Sequence, residues 1–69
     1  MFNSIESYRN AGEKAGRAAK NHDASLTKHW KWWLSQALCL ETETDRKVAR
    51  QAYDQAYSEV ATPTRSYFR

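Results

Sequence analysis

Few side chains in this 69-residue chain are of types that carry chemistry: one cysteine, two histidines and eight carboxylates. Nucleophilic catalysis needs a thiol or hydroxyl beside a base that a third group holds in place. Cys39 falls opposite the apolar stripe of its predicted helix, and neither His22 nor His29 shares its face nearby. No catalytic residue is therefore assigned, and the chain is read as a non-enzyme. His22, Asp23 and His29 lie close in sequence, but a zinc site takes about four ligands. The chain has neither Cys-x-x-Cys nor His-x-x-x-His spacing, so no metal and no other cofactor is expected. Glu41, Glu43 and Asp45 cluster where a third helix should begin, and the positive end of that helix dipole accounts for them. Gly12 and Gly16 sit inside a helical pattern and form no phosphate-cradling loop.

The most unusual segment is Lys28-His29-Trp30-Lys31-Trp32-Trp33. At about 100° per residue, Trp30 and Trp33 join the buried stripe of a helix, while Trp32 falls on the opposite side with Lys28, Ser35 and Cys39. Tryptophan is the residue most enriched at binding hot spots, and an exposed one flanked by lysines suggests use. It could anchor a protein, stack on a base or dip into a membrane interface. It could also lie flat beneath Tyr67 or Phe68. The expected contact residues are Trp32, Lys28, Lys31, Arg9, Arg17 and Tyr57, with Arg65, Tyr67 and Phe68 near the C-terminus.

Three helices must position these groups. Periodicity and capping predict the first over about 4–21, with Asn3 or Ser4 as its cap and Ile5, Tyr8, Ala11, Gly12, Ala15, Ala19 and His22 on one face. His22 is expected to interact with the dipole at that helix's C-terminal end. The second is predicted over about 24–40, capped by Asp23 or Ser25. Its stripe is Leu26, Trp30, Trp33, Ala37 and Leu40, with Leu34 and Leu38 at the flanks. The third is predicted over about 43–61, opened by a Thr42-x-x-Asp45 capping box. Its inner face is Ala49, Ala52, Tyr53, Ala56 and Val60, with Val48 and Tyr57 at the margins. Short links at 21–23 and 41–42 make neighbours antiparallel. The expected architecture is an all-α, compact three-helix bundle, up-down-up, over residues 1–61. Pro63 opens a short extended C-terminal tail over 62–69. The small faces of helices one and three are expected to close around the bulky second helix.

Composition narrows the class. Hydrophobic residues make up 41% and aromatics 13% of the chain, with one Pro and two Gly, which favours folding over disorder. Charges run through residues 1–20 and no apolar segment approaches membrane-spanning length, so a cytoplasmic protein without membrane attachment is expected. Met1 and Arg69 are read as the ends of one small gene product. A lone cysteine fits a reducing compartment. Residues 1–34 hold six Lys/Arg against three Asp/Glu, whereas residues 35–69 hold five of each. A core this small is thin, so a second buried surface is expected, in a homodimer or a complex.

In build, the chain resembles the compact helical proteins encoded by phages and plasmids, among them the anti-CRISPR proteins and other inhibitors of host machinery. The segments Ala11-Gly12-Glu13-Lys14-Ala15-Gly16-Arg17-Ala18-Ala19 and Asp45-Arg46-Lys47-Val48-Ala49-Arg50-Gln51-Ala52-Tyr53-Asp54-Gln55-Ala56-Tyr57 carry the likeness, which lies in size, composition and charged helical surface. The resemblance implies an inhibitor or adaptor that occludes a surface of a host protein complex. Where that complex is a nucleic-acid-handling, CRISPR-type machine, Glu13, Asp54 and Glu59 are expected to mimic phosphates while basic residues engage acidic subunit surfaces. The second reading is a small DNA- or RNA-binding or transcription-regulating protein, with Arg9, Lys14, Arg17, Lys20, Lys28 and Lys31 on phosphates. Against it, the second helix is apolar where a recognition helix shows Arg, Asn, Gln or Ser.

Overall fold

The computed structural model describes residues 1–61, a short N-terminal segment followed by three helices and their links. Helix α1 spans Ile5–Lys20, α2 spans Ala24–Cys39 and α3 spans Glu43–Ala61. Each begins where a side-chain oxygen can satisfy a free backbone N–H. Ser4 Oγ accepts from Ser7 N–H at 3.1 Å, Asp23 Oδ1 from Leu26 N–H at 3.1 Å, and Thr42 Oγ1 from Asp45 N–H at 3.2 Å. The C-terminal end of α2 has no basic residue in its last turn. Arg46 supplies the missing donors from α3, giving Nε–H to Leu38 O at 3.0 Å and Nη2–H to Glu41 O at 3.1 Å.

The turn after α1 is a Schellman motif. His22 N–H donates to Ala19 O at 3.1 Å and Asp23 N–H to Ala18 O at 2.8 Å. The motif needs a left-handed residue one place beyond the cap, and His22 occupies it at φ 57°. His22 therefore leaves the helix before it can join the inner face, and it is exposed. Its expected place on that face is corrected.

The topology is up-down-up. Gly12 faces Tyr53 and Ala56, and one turn later Gly16 faces Tyr57 and Val60, so α1 and α3 run parallel. Tyr8 reaches Trp33 and Ala37, whereas Lys14 reaches Trp30, so α1 and α2 run antiparallel. The helices are arranged differently from the expected wrap around α2. Most of the packing lies between α1 and α3, less between α1 and α2, and α2 scarcely meets α3. Side-chain size sets the distance between helix axes. The Gly12, Gly16, Ala52 and Ala56 surfaces let two backbones close on each other, and a Cβ on Gly16 would stand only 2.7 Å from Tyr57 O.

Tyr8, Ala11, Ala15, Leu34, Ala37, Leu38, Ala49, Ala52 and Tyr53 form the core, with Trp30, Trp33 and Tyr57 packed half-buried against it. Ile5, Leu26, Leu40 and Val48 are exposed, correcting the inner positions given to the first three. With α1 the central element, the α2 stripe has only one neighbour along most of its length, and its margins stay in water.

Candidate protein-binding surface on the second helix

The sequence of α2 contains Lys28, Lys31 and His29 and no carboxylate. Its inner edge is fixed by aromatic packing. Tyr8 and Trp33 meet edge to face at 5.6 Å between centroids, and Trp33 meets Trp30 in the same way at 6.1 Å. The ammonium of Lys14 stands 5.5 Å above the Trp30 ring, within cation–π range. His29 then packs on Trp30 at 4.9 Å and lies 6.1 Å from Trp32, tilted by 32°. A ladder of rings thus runs from the fully buried Tyr8 to the outside of α2 and ends in Trp32, which is 59% exposed.

Several expected contact residues share this surface. Lys28 and Trp32 are one turn apart and line a shallow depression with Ser25 and His29. Lys31 stands on the flank of α2 that faces α3, where it shares a cleft with Tyr57. Tyr57 is half-buried and stacked on Tyr53, with 6.5 Å between centroids and 19° between planes. Arg17 is on α1 and lines the α1–α2 seam with Leu26 and Trp30. Arg9 is not brought to this surface, because it bridges α1 to α3 through Glu59 at 3.6 Å. Arg65, Tyr67 and Phe68 lie outside the described residues, as does the expected covering of Trp32 by Tyr67 or Phe68.

Two of the expected phosphate mimics are engaged with cations, Glu59 with Arg9 and Asp54 with Arg50 at 3.5 Å. Arg9 and Arg50 are likewise each opposed by a carboxylate. Lys28 and Lys31 belong to no ion pair among the described residues. Cys39 is exposed. Among the described residues no cluster of three His, Cys, Asp or Glu is placed to hold a metal, and no helix is long and apolar enough to cross a membrane.

One polar site escaped the sequence reading. Glu41 is 5% exposed, although the helix dipole seemed sufficient to explain it. Its carboxylate accepts from Phe2 N–H at 2.7 Å, Asn3 N–H at 2.9 Å and Tyr8 O–H at 2.6 Å. Burial pushes its pKa up, but the hydrogen bonds from Asn3, Tyr8 and Phe2 outweigh that and hold it below the ordinary 4.5. For Tyr8, burial first and the bond to Glu41 second raise the phenol above 10.0. The available signal was a tyrosine on the inner face of an otherwise small-residue helix, whose hydroxyl would need a partner. This network fastens the α2–α3 link to the start of α1 and fixes one end of the α2 surface. No protein-family model, curated protein or solved structure matches the chain.

Proposed function

We propose that the chain is a non-enzymatic protein-binding module, an inhibitor or adaptor encoded by a mobile element, which occludes a surface of a larger host complex in the cytoplasm. The observation that carries this reading is Trp32, 59% exposed on a helix whose other face is locked by Trp30 and Trp33. A large indole on a rigid helix loses little conformational freedom on binding, and such side chains dominate interface energetics. Lys28 and His29 frame it and add polar rim contacts. The anti-CRISPR-like character of this reading is supported by overall build: size, composition and a charged helical surface.

The test is affinity capture from host lysate with the intact chain and with Trp32→Ala, each shown to be folded by circular dichroism. The intact chain should retain one protein complex, and Trp32→Ala should lose it. Equal retention by both would remove Trp32 as the anchor. The nucleic-acid reading draws on the same Lys28 and Lys31, in no ion pair among the described residues, beside a stackable ring. It requires direct binding that falls steeply with salt, and no binding at low salt would dismiss it.

A further inference from the structure

The arrangement leaves an incomplete bundle. Helices α2 and α3 are joined at 40–42 and tied there by Arg46, but they scarcely pack on each other. Between them runs a cleft with Ala15 of α1 at its floor, Thr27, Lys31 and Leu34 on one wall, and Tyr53 and Tyr57 on the other. Toward the α1–α2 turn, Ala19 and Lys28 line a further depression with Thr27 and Lys31. The cleft is apolar at its base, where Ala15, Leu34 and Tyr53 are buried and Tyr57 is half-buried, and polar at its rims through Thr27, Lys31, Ser35, Arg50 and Asp54. A helix lying in such a trough buries its apolar face against elements already in place.

The charges select the occupant. The α2 rim carries Lys28 and Lys31, neither in an ion pair among the described residues, and α2 has no carboxylate to oppose them. On the α3 rim, Arg50 and Asp54 neutralise each other. We infer that this cleft receives a single acidic amphipathic helix of a partner protein, which inserts its apolar face between α2 and α3 as a fourth helix and sets its carboxylates against Lys28 and Lys31. A nucleic acid fits less well, since the base of the trough is apolar and Asp54 stands on its far rim. The inference rests on reading the chain as a protein-binding module and adds the chemistry of what it binds. Lys28 adjoins Trp32, so an occupant of the cleft would continue onto the exposed indole.

The test uses three synthetic helical peptides of about 18 residues, long enough to span α2. They share one Leu/Ala face and carry Glu, Gln or Lys on the other. Binding is followed by amide shifts of the full chain in two-dimensional NMR. The Glu peptide should bind at least about tenfold more tightly than the Lys peptide, as expected when two exposed charge pairs are replaced by repulsions. Its shifts should centre on Ala15, Leu34, Tyr53 and Tyr57. The double variant Lys28→Glu, Lys31→Glu, both positions being exposed, should reverse the order of preference.

Equal binding of the three peptides would overturn the inference, as would shifts confined to the Trp32 side of α2. So would the same cleft shifts from a single-stranded oligonucleotide, from raising the protein concentration alone, or from a variant ending at Ala61. These would assign the cleft to nucleic acid, to a second copy or to residues 62–69. Trp32→Ala separates this inference from the one before it, because the cleft should still prefer the Glu peptide in that variant. Loss of lysate capture on Trp32→Ala, with no preference among the peptides, would refute the helix and spare the module.

Discussion

The Tyr8 hydroxyl donates to Glu41 Oε2 at 2.6 Å, joining the first turn of α1 to the link between α2 and α3. Tyr8 is fully buried and Glu41 nearly so. The same carboxylate receives the N–H groups of Phe2 and Asn3, so one side chain orders the segment before α1 and anchors the ring that supports Trp33. The aromatic ladder behind Trp32 therefore begins at a hydrogen bond to a carboxylate.

Replacing Tyr8 by Phe keeps the ring against Trp33 and removes only the hydroxyl, which donates to Glu41 Oε2 and accepts from Asn3 Nδ2–H at 3.4 Å. A hydrogen bond to a charged acceptor contributes about 1.5–3 kcal/mol, and Tyr8→Phe should lower unfolding stability by about that amount in urea titration. An unchanged midpoint would show that water replaces the hydroxyl.

The network also sets a pH window. The folded-state pKa of Glu41 is depressed, so its contribution is complete above the ordinary 4.5 and disappears as pH falls below that value through the depressed pKa. The Tyr8 phenol is raised, so its contribution is complete below 10.0 and is lost as pH climbs above that through the raised pKa. Thermal melts should show an acid limb that Glu41→Gln flattens and an alkaline limb that Tyr8→Phe flattens. Retention of both limbs in both variants would place the pH dependence elsewhere.

Gly12 meets α3 with no room for a side chain, because an added Cβ would collide with the Tyr53 carbonyl and crowd Ala56 at 3.1 Å. Alanine improves helix propensity by about 1 kcal/mol, but overpacking against backbone costs about 1–3 kcal/mol. Gly12→Ala should be destabilising overall, by up to about 2 kcal/mol, whereas alanine at the exposed Asn10 should be neutral or stabilising. A more stable Gly12→Ala protein by calorimetry would disprove the close α1–α3 approach.

His22 holds a left-handed conformation at φ 57° in the Schellman turn. Glycine adopts that conformation without the Cβ penalty, so His22→Gly should raise stability by about 0.5–1 kcal/mol. A loss of stability would mean that the imidazole makes a compensating contact.

Trp32→Ala should leave the melting curve within about 0.5 kcal/mol of the parent, as for a surface substitution, while weakening partner binding by 2 kcal/mol or more, about 30-fold. Calorimetry and partner titration on one preparation separate the two effects. A large loss of stability would make Trp32 part of the fold.

Helix number, the α3 limits and the Thr42 cap were legible along the chain, and the first two caps to within a pair of residues from which the structure selects Ser4 and Asp23, because capping and 3.6-residue periodicity are local properties. The orientation of Trp32 was legible for the same reason, since it follows from its angular distance from Trp30 and Trp33. Which faces would meet was not. The glycine and alanine surfaces of α1 and α3 gain more by closing on each other than by wrapping the tryptophans, and that preference depends on the fit of two distant surfaces. The same long-range geometry turned Leu26 and Leu40 outward, opened the cleft between α2 and α3, and brought Glu41 to Tyr8 across 33 residues of sequence. A side chain's helical face can be computed from its neighbours in sequence, but its partner across the bundle exists only once the backbones have packed.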